Sequence, residues 1–249
     1  MLDKIEPQLI NVKTSKIISQ IQENILNKLF GSEYVNVKTL LQTTSQIVCN
    51  DAQGYEFELR FSDENGHTSK QTWINFDNQF GNAITMQSFD DDIIYSYESS
   101  IPLNNIHFRS YQKSNIYERK ILINMIVSRS ECKNIIPMNI KLSKETLMSP
   151  AKHLEKYINI QRRQRCSYTF NDPALSDWRI DKTIRFFSNN VQDKKMTINI
   201  GVDNFQHLKY YDYLDIEFEY VGEFSNLFNS FFNLIEKIYK PFEDFNIIY

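Results

Sequence analysis

The chain has 249 residues, of which 41% are hydrophobic and 14% aromatic, with six glycines, six prolines and a net charge of −3. That apolar mass excludes a disordered chain, and so little Gly and Pro excludes collagen-like or linker-rich organisation. The near-neutral charge excludes a generic nucleic-acid-binding surface, so an anionic ligand would need a local cluster of cations.

Thr14-Ser15 can cap a helix running to about Phe30, with Ile17, Ile18, Ile21, Ile25 and Leu29 near helical spacing and Gly31 at its end. A second helix is expected from Val37 to Ile47. Asn50 to Gly54 is a turn signal, and the segment Tyr55–Phe61 after it alternates like a strand. A short helix is expected within Phe76 to Phe89. Strands are expected over Ile93–Glu98, Ile106–Tyr111, Tyr117–Val127, Met138–Ser143, Tyr157–Phe170, Trp178–Phe187, Met196–Val202 and Leu214–Val221, from their β-branched and aromatic content. An amphipathic helix from Ser225 to Tyr239 stops before Pro241. The sum is one mainly antiparallel β domain of α+β class, with helices at both ends. Residues 1–50 would be helical, 54–222 would hold the strands, and 225–240 the last helix.

Two segments far apart in sequence carry acidic residues at alternate positions. Side chains alternate between the faces of a strand, so Glu56, Glu58 and Arg60 share one face of the first. Asp215, Glu217 and Glu219 share one face of the second. Carboxylates packed together repel unless a cation sits among them, and hard Mg²⁺ or Mn²⁺ prefers oxygen ligands. Basic residues alternate too: Arg163 and Arg165 share a face with Gln161 and Ser167, and Arg179 shares one with Asp181 and Thr183. Arg109, Lys120 and Lys141 also stand on polar strand faces. Guanidinium groups pair naturally with phosphate oxygens. A barrel whose lumen holds both sets would suit a metal-bound polyphosphate. From alternation alone, an open sheet, wet on one side and laced with cross-strand ion pairs, is the favoured reading. His67, His107, His153 and His207 form no metal or base motif. The cysteines Cys49, Cys132 and Cys166 form no CxxC or Cys/His spacing and no disulfide framework, as in a reducing compartment.

The order of these motifs resembles the metal-dependent RNA triphosphatases of the triphosphate tunnel family, which act first in mRNA capping. The resemblance covers residues 54 to 222. It rests on Glu56 and Glu58, then Arg109, Lys120, and Glu145 after Lys141 and Ser143. Next come Arg163, Arg165, Ser167 and Tyr168, then Asp181 and Thr183 after Trp178, and last Asp215, Glu217 and Glu219. Two positions depart from the family pattern: Gln161 stands where a basic residue is usual, and Asp215 where Glu is common.

The resemblance implies a closed eight-stranded tunnel barrel with flanking helices. It implies that Glu56, Glu58 and Glu219 bind Mg²⁺ or Mn²⁺. Arg109, Lys120, Lys141, Arg163 and Arg165 would hold the phosphates. Glu145 or Glu217 would orient or deprotonate the attacking water, and Asp181, Thr183 and Asp215 would support the basic side chains. The implied activity is removal of the γ-phosphate from a 5′-triphosphate RNA end, with nucleoside triphosphates as further substrates. A guanylyltransferase would be fused to or associated with the domain, as in viral capping enzymes. Two competing readings are a tunnel-family hydrolase of inorganic triphosphate or another small triphosphate, and a non-catalytic β-barrel binding module. No signal-peptide pattern and no apolar run near the ~20 residues of a membrane span are present. The expectation is a soluble intracellular protein, in the nucleus or at a cytoplasmic viral replication site.

Overall fold

The computed structural model of the chain describes residue 20 and residues 23–47, 53–62, 66–97, 106–127, 138–149, 157–187 and 212–239. Among these, eight strands form a closed barrel: β1 (Tyr55–Phe61), β2 (Ile84–Tyr97), β3 (Ile106–Tyr111), β4 (Ile116–Val127), β5 (Met138–Met148), β6 (Tyr157–Phe170), β7 (Trp178–Phe187) and β8 (Asp212–Tyr220). Their order around the ring is β1-β5-β4-β3-β2-β6-β7-β8, and every pairing is antiparallel. Closure comes from the first and last strands, which set Glu58 opposite Glu219 and Arg60 opposite Glu217. The two acidic segments are therefore neighbours in space, and the open-sheet reading is excluded.

The hydrophobic core lies outside the barrel. Residues 23–30 form α1, followed by α2 (Tyr34–Thr44), α3 (Lys70–Phe80) and α4 (Leu227–Tyr239). Leu227, Phe231, Leu234, Ile235 and Ile238 recur at helical spacing on α4, and all are buried. They meet the outward residues of the strands: Phe57 packs edge-on against Phe231 and Trp178, with ring centroids 6.4 Å apart in both pairs. The Trp178 indole N–H donates to Ser230 Oγ at 2.9 Å, which satisfies its one polar atom inside that core. With the apolar faces committed outward, alternation leaves the charged faces pointing into the barrel.

Several boundaries differ from the sequence expectation. The helix expected within Phe76–Phe89 is α3, which starts at Lys70 because the Ser69 hydroxyl accepts from the Thr72 N–H at 3.0 Å and caps it. Beyond Gly81 the chain is already strand: β2 begins at Ile84, not Ile93. Its middle holds Asp90-Asp91-Asp92, poor strand formers by local preference. Cross-strand pairing holds them, with Arg162 Nε 2.8 Å from Asp91 Oδ1 and Arg163 Nη2 2.8 Å from Asp90 Oδ2. β5 continues to Met148, past the expected end at Ser143. α2 begins at Tyr34, ahead of Val37. The expected strand Met196–Val202, the start of the first helix near Thr14 and the stop at Pro241 lie outside the described residues.

Candidate active site

Inward faces of seven of the eight strands, all but β2, line a cavity of about 440 Å³. Its lining is mostly charged. Glu56, Glu58 and Arg60 come from β1, Arg109 from β3, Glu118 and Lys120 from β4, and Lys141 and Glu145 from β5. Arg163 and Arg165 come from β6, Arg179 and Arg185 from β7, and Glu217 and Glu219 from β8.

Two ion-pair networks divide this lining. Lys120 organises the first: its ammonium lies 2.7 Å from Glu56, 3.0 Å from Glu58 and 2.9 Å from Glu145. Burial disfavours the Lys120 charge, but the three carboxylates outweigh it and raise its pKa above the ordinary lysine value. Arg109 stands 3.9 Å from Glu118 in the same part of the wall. Glu217 organises the second network. It pairs with Arg60 and has Arg165 at 3.6 Å and Arg185 at 3.8 Å. Burial opposes its charge, yet Arg60, Arg185 and Arg165 hold the carboxyl well below the usual range.

The supporting residues lie where they can fix the cations. Buried Asp181 accepts from the Ser167 hydroxyl at 2.6 Å and pairs with Arg165 at 3.1 Å and Arg179 at 3.0 Å. The Thr183 hydroxyl takes the Arg165 Nε at 3.3 Å. Buried Asp215 pairs with Arg185 at 2.8 Å and lies 3.6 Å from Arg60. Arg163 lies over the Tyr111 ring, 5.2 Å from its centroid. Lys141 differs from the other cations. Among the described residues no carboxylate lies within 4.0 Å of it, and burial, reinforced by nearby Arg60, lowers its pKa to about 8.

Every residue expected at the site therefore lies on the inner wall or braces a residue that does. Arg60, Arg179, Arg185 and Glu118 were not expected to act, although they line the same cavity. Their signal was in the sequence: Arg60 follows Glu58 by two residues, and Arg185 follows Thr183 by two, so each pair shares a face. His107 also lines the cavity; burial, with Arg109, Lys120 and Lys141 nearby, lowers its pKa.

No three Asp, Glu, His or Cys side chains among the described residues form a group that could hold a metal ion as they stand. The donor chemistry of Glu56, Glu58 and Glu219 nevertheless fits a hard dication. Burial raises the Glu56 carboxyl to about 9, against the pull of Lys120, and the Glu219 carboxyl to about 7, against Arg179. Protein cations thus leave part of this desolvated acidity uncompensated. A rotation of Glu58 and Glu219 away from Lys120 and Arg179 would bring opposed cross-strand carboxylates together.

No family model and no curated protein matches the sequence. Solved structures do match the fold. The RNA triphosphatase domain of a trifunctional mimivirus mRNA capping enzyme superposes with a TM-score of 0.52 at 14% identity, over 87% of this chain and 99% of that one. The S. pombe Pct1 RNA triphosphatase gives 0.50 at 11% identity, over 84% of this chain and 88% of that one. The same enzyme in complex with the Spt5 CTD gives 0.50 at 12% identity, over 84% and 91%. The chain has the fold of these triphosphatases, an eight-stranded tunnel with flanking helices.

Proposed function

We propose that this tunnel is a divalent-metal-dependent RNA 5′-triphosphatase, with residues 1–249 forming a single tunnel domain. The observation that carries the reading is the inner wall itself: eight Arg and Lys side chains and six carboxylates face one cavity. The similarity in fold to two RNA triphosphatases supports it.

Glu56, Glu58 and Glu219 would hold Mg²⁺ or Mn²⁺, which when bound polarises a phosphoryl oxygen and neutralises its charge. The remaining roles belong to the chain's own groups. Lys141, with no carboxylate within 4.0 Å among the described residues, binds a phosphate oxygen without first breaking an ion pair there. Lys120, Arg109, Arg163 and Arg165 stabilise charge on the transferring phosphoryl group from fixed positions. Glu145 stays ionised because Lys120 outweighs its burial, so it can accept a hydrogen bond from the attacking water and orient it. Glu217 is held by three arginines and is too weak a base for that task; it positions them. Asp181, Thr183 and Asp215 brace Arg165, Arg179 and Arg185. Water adds to the γ-phosphorus, the bond to the β-bridging oxygen breaks, and orthophosphate leaves a 5′-diphosphate end.

Release of label from γ-labelled triphosphate-ended RNA, with and without Mg²⁺ or Mn²⁺, tests this. Metal-dependent release supports the reading. Absence of release at every metal concentration would leave a binding module in its place. Association with a guanylyltransferase belongs to the same proposal; the similar mimivirus RNA triphosphatase domain is part of a trifunctional mRNA capping enzyme.

A further inference from the structure

On β4 the inward residues Glu118, Lys120 and Leu122 follow strict alternation, which would make Asn124 the next to face the lumen. It does not. A bulge interrupts the ladder between Leu122 and Asn124, and Ile123 is the extra residue. Beyond it the phase is reversed. Asn124 stands opposite outward Leu142, Met125 opposite inward Lys141, and Ile126 opposite outward Ile140. Ile126 accordingly joins the outer core, while Met125 lines the cavity that Leu122 and His107 also line.

Core packing does not explain an inward Met125 that is 47% exposed. Phosphate chemistry does not explain it either, because polyphosphate has no apolar surface for a thioether to cover. A nucleoside does. Directly across the strand pair, Lys141 is the cation best able to take a phosphate, so an apolar face adjoins a phosphate-binding charge at this point of the wall. Polarizable methionine makes favourable contacts with aromatic rings.

We propose that Met125, with Leu122 and His107, forms a nucleobase-contacting subsite in the tunnel wall, which favours nucleoside-linked triphosphates over inorganic tripolyphosphate. The bulge is the device that builds it, because it exchanges an inward Asn for an inward Met. The proposal rests on the triphosphatase reading and specifies its substrate class.

The test compares kcat/KM for triphosphate-ended RNA with kcat/KM for inorganic tripolyphosphate, in wild type, Met125→Ala, Met125→Phe and Leu122→Ala, at one fixed Mn²⁺ concentration. Met125→Ala is expected to lower the RNA-to-tripolyphosphate ratio about tenfold, as for removal of a base-stacking side chain. Met125→Phe, which keeps an apolar surface for the base, is expected to retain or raise the ratio. If Met125→Ala fails to fold, the ratio for Leu122→Ala and Met125→Phe decides. A ratio within twofold of wild type in every folded variant would overturn the subsite while leaving the triphosphatase reading intact. Hydrolysis of neither substrate by wild type would overturn both.

Discussion

Lys141 and the acidic pair Glu56 and Glu219 carry the shifts that make single residues measurable. Around Lys141 stand Glu58 and Arg60 from β1, Arg185 from β7 and Glu217 from β8. Its pKa of about 8 places loss of charge just above neutrality. Phosphate binding by this residue is therefore present below pH 8 and lost above it. The alkaline limb of kcat/KM, which reports the free enzyme, should fall with a midpoint near 8. In Lys141→Arg that limb should move above pH 9, because guanidinium stays charged. The acidic pair works in the opposite sense. Burial lifts both carboxyls above their unfolded values, so the stability that their protonation gives is lost as pH rises through about 7 for Glu219 and about 9 for Glu56. A divalent cation competes with those protons. The rise in melting temperature on adding Mn²⁺ should therefore be larger at pH 8 than at pH 6, and Glu219→Gln should flatten the difference. These residues were legible in the sequence because β alternation assigns a face to each. Which carboxylate serves which cation was not, because that depends on neighbours as many as seven strands away in the chain.

At the scale of elements, the start of β1 and the middle of β5 are locked by one glycine. Gly54 has φ +79°, and its C=O accepts from the Glu145 N–H at 2.6 Å. A Cβ there would lie 2.2 Å from the Glu145 carbonyl oxygen. Gly54→Ala should therefore cost about 1–3 kcal/mol by backbone strain, and more where the clash pushes β5 aside. Because β5 carries Glu145, turnover should fall along with the melting temperature. The turn at Gly54 was readable as local chemistry, whereas its contact with Glu145 was not. The same division separates α3 from β2. The helix has its own cap at Ser69, but β2 is held as a strand by its pairing with β6, whose arginines reach the aspartates of β2. The bulge on β4 leaves no local mark at all, and it alone decides that Met125 and not Asn124 faces the lumen.

For the whole molecule, the apolar shell outside the barrel is what keeps the charged faces inside. The paired charges of the interior are desolvated and add little net stability, so closure depends on the burial of Phe57, Leu59 and Phe218 beneath the helices. Phe231 of α4 is fully buried against this wall and touches Phe57. Phe231→Ala should cost about 3–5 kcal/mol, the usual loss for emptying an aromatic site. It should do so without altering the pH profile of whatever activity remains, which chemical denaturation and kinetics together would show. The pairing of β1 with β8 brings Glu58 and Glu219, from opposite ends of the described chain, into one wall. Phosphate release from γ-labelled triphosphate-ended RNA by Glu56→Gln and Glu219→Gln, beside wild type in Mn²⁺, tests the consequence most directly. Each variant should lose at least ~100-fold in turnover while remaining folded, the scale of removing one strong electrostatic stabiliser. Release by either folded variant at the wild-type rate would contradict the assignment of the converging carboxylates to catalysis.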